Sequence, residues 1–106
     1  MEAYPLDHFK KGWFVGDFEP ALIATREAEV AVKQYRAGER EKAHHHKVAV
    51  ELTVIVFGRV RMSGREFGSA QIVCIPAGES TDFEALEDTV TVVVKVPSVR
   101  GDKYED

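Results

Sequence analysis

A chain of 106 residues, 44% apolar and 30% charged, has the size of one domain and the composition of an ordinary globular one. Its formal charge of −4, with no clustered Lys/Arg stripe, argues against nucleic acid as a partner, and its longest apolar run, Leu52 to Phe57, is far short of the ~20 residues of a membrane helix. The opening MEAYPLDHFKK lacks the apolar core of a secretory leader and Cys74 has no second cysteine to pair with, so the expectation is a single cytoplasmic domain over residues 1–106.

Residues 1–20 concentrate aromatic side chains, Tyr4, Phe9, Trp13, Phe14 and Phe18, between Pro5, Gly12 and Gly16. Left in water, that much aromatic surface invites aggregation, so an arm or edge strand is expected, packed on its own subunit or across a dimer interface. From Ala21 to Tyr35 the alternation favours strands, with Val30 and Val32 on one face and Lys33 and Tyr35 on the other. A helix is the rival for Ala24 to Lys42, which is rich in helix formers but lacks an apolar helical stripe.

The segment Gly38 to Gly58, GEREKAHHHKVAVELTVIVFG, holds three of the four histidines. On an extended strand His44 and His46 project together while His45 projects the other way. With the carboxylate of Glu51 from the next strand they compose a 2-His-1-carboxylate set, which has metal-ligand chemistry. The order Gly38, five residues, His44, one residue, His46, four residues, Glu51, six residues, Gly58 resembles the first conserved motif of the cupins, with every fixed position filled. Ile75 to Phe83, IPAGESTDF, resembles the second motif and supplies its Pro-X-Gly turn at Pro76-Ala77-Gly78. Two positions depart from that motif. Ala70 stands at its leading glycine, and Thr81 stands at the histidine that usually completes the metal site.

The resemblance covers roughly Val30 to Val96 and implies an all-β fold, the cupin double-stranded β-helix barrel of jelly-roll type. It further implies that His44, His46 and Glu51 converge inside the barrel on a divalent ion (Zn, Fe, Mn or Ni), with Thr81 at the fourth position. Tyr35, Thr53 and Phe83 are candidate pocket-lining residues, Tyr35, Arg59 and Lys95 could reach a pocket to orient a substrate, and no catalytic residue is assigned. Glu79 and Asp82 carry ligand chemistry close to Thr81, but in a regular strand Asp82 turns away when Thr81 turns in, leaving water as the expected fourth ligand.

Further along, Glu51, Thr53, Ile55 and Phe57 share one face of a strand and Leu52, Val54 and Val56 the other. Both faces are mainly apolar, so one lines the barrel and the other needs a cover, a second sheet or a second subunit. A homodimer is expected on that ground. Gly58 ends the strand and Ser63-Gly64 makes a tight turn. Gln71 to Ile75 is another short strand, in which Cys74 is expected as a buried, inert core thiol. Thr89 to Val96 is the clearest strand, with Val90, Val92, Val94 and Val96 on one side and Thr91, Val93 and Lys95 on the other, stopped by Pro97. Residues 97–106 form a polar tail, expected to fray, in which Arg100-Gly101-Asp102 reads as a solvated turn.

Functionally, the resemblance implies a small metal-dependent enzyme of isomerase or dioxygenase type acting on a small polar metabolite. The alternatives are a metal-free cupin that binds a sugar or carboxylate without turnover, and a partner-binding protein. The histidines could also be a solvated relic, or Glu51 could pair with a histidinium or with Lys47 instead of a metal.

Overall fold

Short runs of β-branched residues broken by Gly, Pro and Ser set the architecture. The computed structural model describes residues 1–106 and contains eleven strands. In chain order they are β1 (Trp13–Gly16), β2 (Ile23–Ala24), β3 (Glu29–Tyr35), β4 (Arg40–His45), β5 (Val50–Phe57), β6 (Arg59–Met62), β7 (Arg65–Gly68), β8 (Ile72–Ile75), β9 (Thr81–Ala85), β10 (Thr89–Val96) and β11 (Tyr104–Glu105). A six-stranded sheet runs β2-β1-β3-β10-β5-β8, and a five-stranded sheet runs β11-β4-β9-β6-β7. The helical rival is thereby excluded for Ala24 to Lys42, which instead supplies β3 and β4. No helix is long and apolar enough to cross a membrane.

Register decides what the barrel interior contains. Lys95 of β10 lies opposite Glu29 of β3 on one side and Glu51 of β5 on the other, and Glu51 lies opposite Ile75 of β8. Two residues along, Val93 lies between Ala31 and Thr53, and two further on Thr91 lies between Lys33 and Ile55. Because side chains alternate with period two, all of these face inward together. One end of the interior is apolar, built by Ile55, Val60, Met62, Ile75, Phe83 and Ala85. The other end carries the Glu29, Lys95 and Glu51 row.

Positive φ shapes two of the corners that close the barrel. Gly58 has φ 97°, and a Cβ there would meet the Asp88 carbonyl oxygen and the Thr89 hydroxyl at 2.4 Å, so the β5–β6 corner is closed to larger residues. Ser63 (φ 50°) and Gly64 (φ 77°) join β6 to β7 with both central residues in the left-handed region.

The aromatic arm packs on its own subunit. Trp13 lies opposite Ala31 in β1–β3 pairing, Phe14 is edge-on to Phe9, and Trp13 is edge-on to Phe18. Three expectations fail. The tail does not fray, because β11 pairs with β4 through Tyr104 opposite His45 and Glu105 opposite His44. Asp102 is not solvated; it is buried, and its carboxylate accepts backbone N–H bonds from Lys47 (2.8 Å), Val48 (3.2 Å) and Ala49 (2.9 Å). Cys74 is exposed rather than buried, since β8 is the outermost strand of its sheet and Cys74 points outward beside Leu52.

Candidate metal centre

His44 is the penultimate residue of β4, His46 lies just beyond the strand, and Glu51 is the second residue of β5. The structure brings their ligand atoms within 4.8 Å of one another. The two imidazoles meet edge to face, with ring centres 5.4 Å apart. His45 turns to the other side, where it pairs with Asp106 at 2.8 Å and stacks on Tyr104.

Hydrogen bonds orient the donor set. The Nδ1–H of His44 donates to the Lys42 carbonyl at 2.9 Å, and that of His46 donates to the Asp102 carbonyl. Each histidine therefore keeps Nε2 for the cavity, the arrangement in which a metal-ligating imidazole is normally held. Glu51 Oε2 accepts the Thr53 hydroxyl at 2.9 Å, which fixes the carboxylate. The remaining oxygen, Oε1, is 3.0 Å from His46 Nε2. With Nδ1 already donating, that contact needs a proton shared between His46 Nε2 and the Glu51 carboxylate when no ion is present. The Glu51 hydrogen bond holds the His46 pKa above its usual value, against the opposing effect of burial. Burial pushes the Glu51 carboxyl upward, but hydrogen bonds from His46 and Thr53 outweigh it and hold the pKa below the usual range. Two imidazole nitrogens and a carboxylate, oriented and close, fit a borderline divalent cation, which would displace the shared proton.

Thr81 of β9 lies opposite His44 in the strand register. Its hydroxyl accepts from Ser63 at 3.0 Å and donates to the Asp82 carbonyl at 2.9 Å. Asp82 is engaged by the Ser63 N–H at 2.8 Å. Both reach the cavity wall, whereas Glu79 does not. The other expected lining residues, Tyr35, Thr53 and Phe83, border the same cavity of about 250 Å³. Tyr35 packs on Phe83 with ring centres 4.5 Å apart and donates its hydroxyl to Glu41 at 2.7 Å. Burial and the Glu41 carboxylate push its pKa well up, so the phenol stays protonated. Arg59 pairs with Glu66 and takes no part in the cavity.

Sequence reasoning overlooked several groups. Trp13, Glu41 and Thr91 line the cavity, and so do Lys11, Lys33 and Lys103, whereas Lys95, expected from the sequence to reach a pocket, does line it between Glu29 and Glu51. The inward placement of Lys33 and Lys95 was available from the alternation of EVAVKQY and TVTVVVKV. Asp102 carries no such signal, because its role depends on where the tail is laid down.

No family model matches the chain and no curated protein does. The likeness is structural. An uncharacterised protein with a double-stranded β-helix domain from Klebsiella pneumoniae superposes with a TM-score of 0.71 at 14% identity, covering 93% of this chain and 87% of that one. The fold is that of the cupins. Other cupin-fold neighbours include KdgF from Halomonas sp. (TM-score 0.65, 18% identity, 72% of this chain and 74% of that chain). The DMSP lyase DddQ from Ruegeria pomeroyi gives 0.73 at 19% identity, covering 88% of this chain. This cupin fold spans about half of DddQ, at 49% of its length, and 24% of the oxalate decarboxylase of Bacillus subtilis, a protein with Mn(II) centres.

Proposed function

We propose that His44, His46 and Glu51 hold a divalent metal ion (Zn, Fe, Mn or Ni) and that the chain is a small cupin enzyme acting on a small polar metabolite, with isomerase- or dioxygenase-type chemistry. The observation that carries this reading is the hydrogen bonding of both Nδ1–H groups to backbone carbonyls, which reserves both Nε2 atoms for the cavity. Such an ion supplies Lewis acidity or oxygen activation when bound. The chain's own residues do the rest. Tyr35 offers a neutral phenol at the cavity wall, and Phe83 and Met62 exclude water from the apolar side. Thr53 keeps the Glu51 carboxylate from rotating.

The test is metal content of tag-free protein by mass spectrometry at neutral pH, since acid would protonate the ligands. About one equivalent of metal is expected, and a His44→Ala/His46→Ala double variant should lose it. Stoichiometric metal in the double variant would overturn the assignment. A second reading, a cupin that binds a sugar or carboxylate without metal or turnover, is favoured by Thr81, whose hydroxyl is already committed to Ser63 and Asp82. Protein that stays metal-free and ignores added metal would decide for it.

A second copy of the chain is the proposed cover for the outer face of the six-stranded sheet. Val92 and Val94 of β10, Leu52 and Val54 of β5, and Ile72 and Cys74 of β8 are neighbours there by register. Face-to-face packing about a two-fold axis closes the assembly at two copies. A free thiol on that face suits a reducing, cytoplasmic setting.

A further inference from the structure

We propose that the metabolite is a small organic acid, its carboxylate held by Lys33 and Lys103 within the cavity that also contains His44, His46 and Glu51. This rests on the metal-site reading for its reaction, but not for its binding.

The distribution of lysine carries the argument. The chain has seven lysines and a net charge of −4, yet four of the seven, Lys11, Lys33, Lys95 and Lys103, border this one cavity of about 250 Å³. No arginine borders it. Three acids do, Glu41, Glu51 and Asp82, and each is already engaged, by the Tyr35 hydroxyl, by His46 and by the Ser63 N–H respectively. Among the four lysines only Lys95 is in an ion pair, with Glu29 at 3.2 Å. Lys11, Lys33 and Lys103 make no ion pair, although Glu41 acts on Lys33 from a distance.

Positive charge is also held in place. The Lys33 and Lys95 amines lie 5.1 Å and 4.8 Å from the centre of the Trp13 ring, so the arm fixes both against the cavity rather than releasing them to solvent. Burial, with Lys11, Lys103 and Lys95 nearby, holds the Lys33 pKa below its usual value despite Glu41. An anion beside Lys33 removes that penalty. A second unsatisfied group lies next to it. Thr91 is opposite Lys33 in the register, is fully buried, borders the same cavity, and its Oγ1 is the one buried side-chain polar atom with no hydrogen-bond partner. Uncompensated ammonium groups and an idle hydroxyl are complementary to carboxylate oxygens. The volume of about 250 Å³ lies at the small end for a ligand pocket and suits a short acid.

The experiment is titration calorimetry with malonate, succinate, glutarate, lactate and malate, and with glutaramide as an uncharged isostere. It is run on Mn²⁺-loaded and on EDTA-treated protein. At least one acid should bind while glutaramide does not, and raising NaCl from about 50 to about 500 mM should weaken binding severalfold. Lys33→Met should weaken it about tenfold or more with metal stoichiometry unchanged. Lys103→Ala, a change at an exposed residue that leaves the fold alone, should weaken it about threefold or more. Failure of every acid, equal binding of glutaramide, or indifference to both lysine variants would overturn the proposal. Lysine-dependent binding by protein that takes up no metal would support it while sinking the metal-site reading.

Discussion

Truncating Asp102 is expected to damage both stability and the proposed metal site, although the residue lies in what reads as a disposable tail. Its carboxylate accepts N–H bonds from Lys47, Val48 and Ala49, and its carbonyl accepts from His46. In Asp102→Ala the Lys47 and Val48 N–H groups can turn to water because both residues are exposed, but Ala49 is only 2% exposed and its N–H is left without a partner. An unsatisfied buried donor costs ~1–3 kcal/mol, and losing charge-assisted bonds adds to it, so the expected loss is about 2–4 kcal/mol. For a domain of this size that lowers Tm by about 10–25 °C. Burial pushes the Asp102 carboxyl upward, but the N–H bonds from Ala49, Lys47 and Val48 outweigh it and hold the pKa below the usual value. A depressed folded-state pKa contributes stability above the unfolded value of about 3.9, and that contribution is lost as pH falls through the lower folded value. Urea denaturation of wild type and variant should therefore show a gap that is flat from neutral pH to about 5 and closes below about 4. Metal affinity should fall about tenfold or more, because the carbonyl that orients His46 is no longer anchored. A variant within about 0.5 kcal/mol of wild type, or a gap that widens on acidification, would refute the reasoning.

Thr91→Val replaces the one buried side-chain hydroxyl without a partner by a methyl group of similar shape, and should stabilise the unliganded protein by about 0.5–1 kcal/mol in urea denaturation; a loss of more than about 1 kcal/mol would mean that the hydroxyl is satisfied. For metal-free protein, Glu51→Gln removes a pair whose histidine pKa is raised and whose carboxylate pKa is lowered. The first contribution is complete below pH ~6.5 and fades as pH rises through the folded His46 value, and the second is complete above pH ~4.3 and fades on acidification. Destabilisation of about 1–3 kcal/mol should thus be largest between pH ~4.5 and ~6.5, and a maximum outside that window would contradict the pairing. Val54→Asp, on the outer face, should convert a dimer to a monomer in sedimentation velocity while leaving metal content intact; wild type that is monomeric at about 100 μM would remove the premise.

The parts of the fold that were legible in the sequence are those whose cause is local. In β10, valine at every second position states a strand and its outward face, and the same alternation places Lys95 and Thr91 inside. His44 and His46 could be put on one side and His45 on the other because period two leaves no choice. What stayed hidden depends on partners distant along the chain. Cys74 has apolar neighbours in sequence, like a core residue, but β8 is the last strand of its sheet, so its outward face meets no third layer. Asp102 lies in a polar run and is buried because β11 pairs with β4 and draws the preceding turn over the loop after His46.

That difference bears on how the site is assembled. His44, His46 and Glu51 are contributed by one continuous stretch of eight residues, which alone cannot fix the His46 ring, since a loop of Lys47 to Ala49 separates it from β5. The constraint is supplied from the far end of the chain, by a residue whose side chain ties down that loop and whose carbonyl sets the ring. The cationic wall comes from the N-terminal side, where Trp13 holds Lys33 and Lys95. Substitutions in the arm and the tail should therefore affect different properties of one cavity. Trp13→Ala should weaken acid binding and spare metal loading, whereas deletion of residues 102–106 should impair metal loading first. Calorimetry and metal analysis on the two variants read these separately, and a pair of variants that lose both properties together would show that the cavity is a single cooperative unit rather than two supports meeting at a central strand pair.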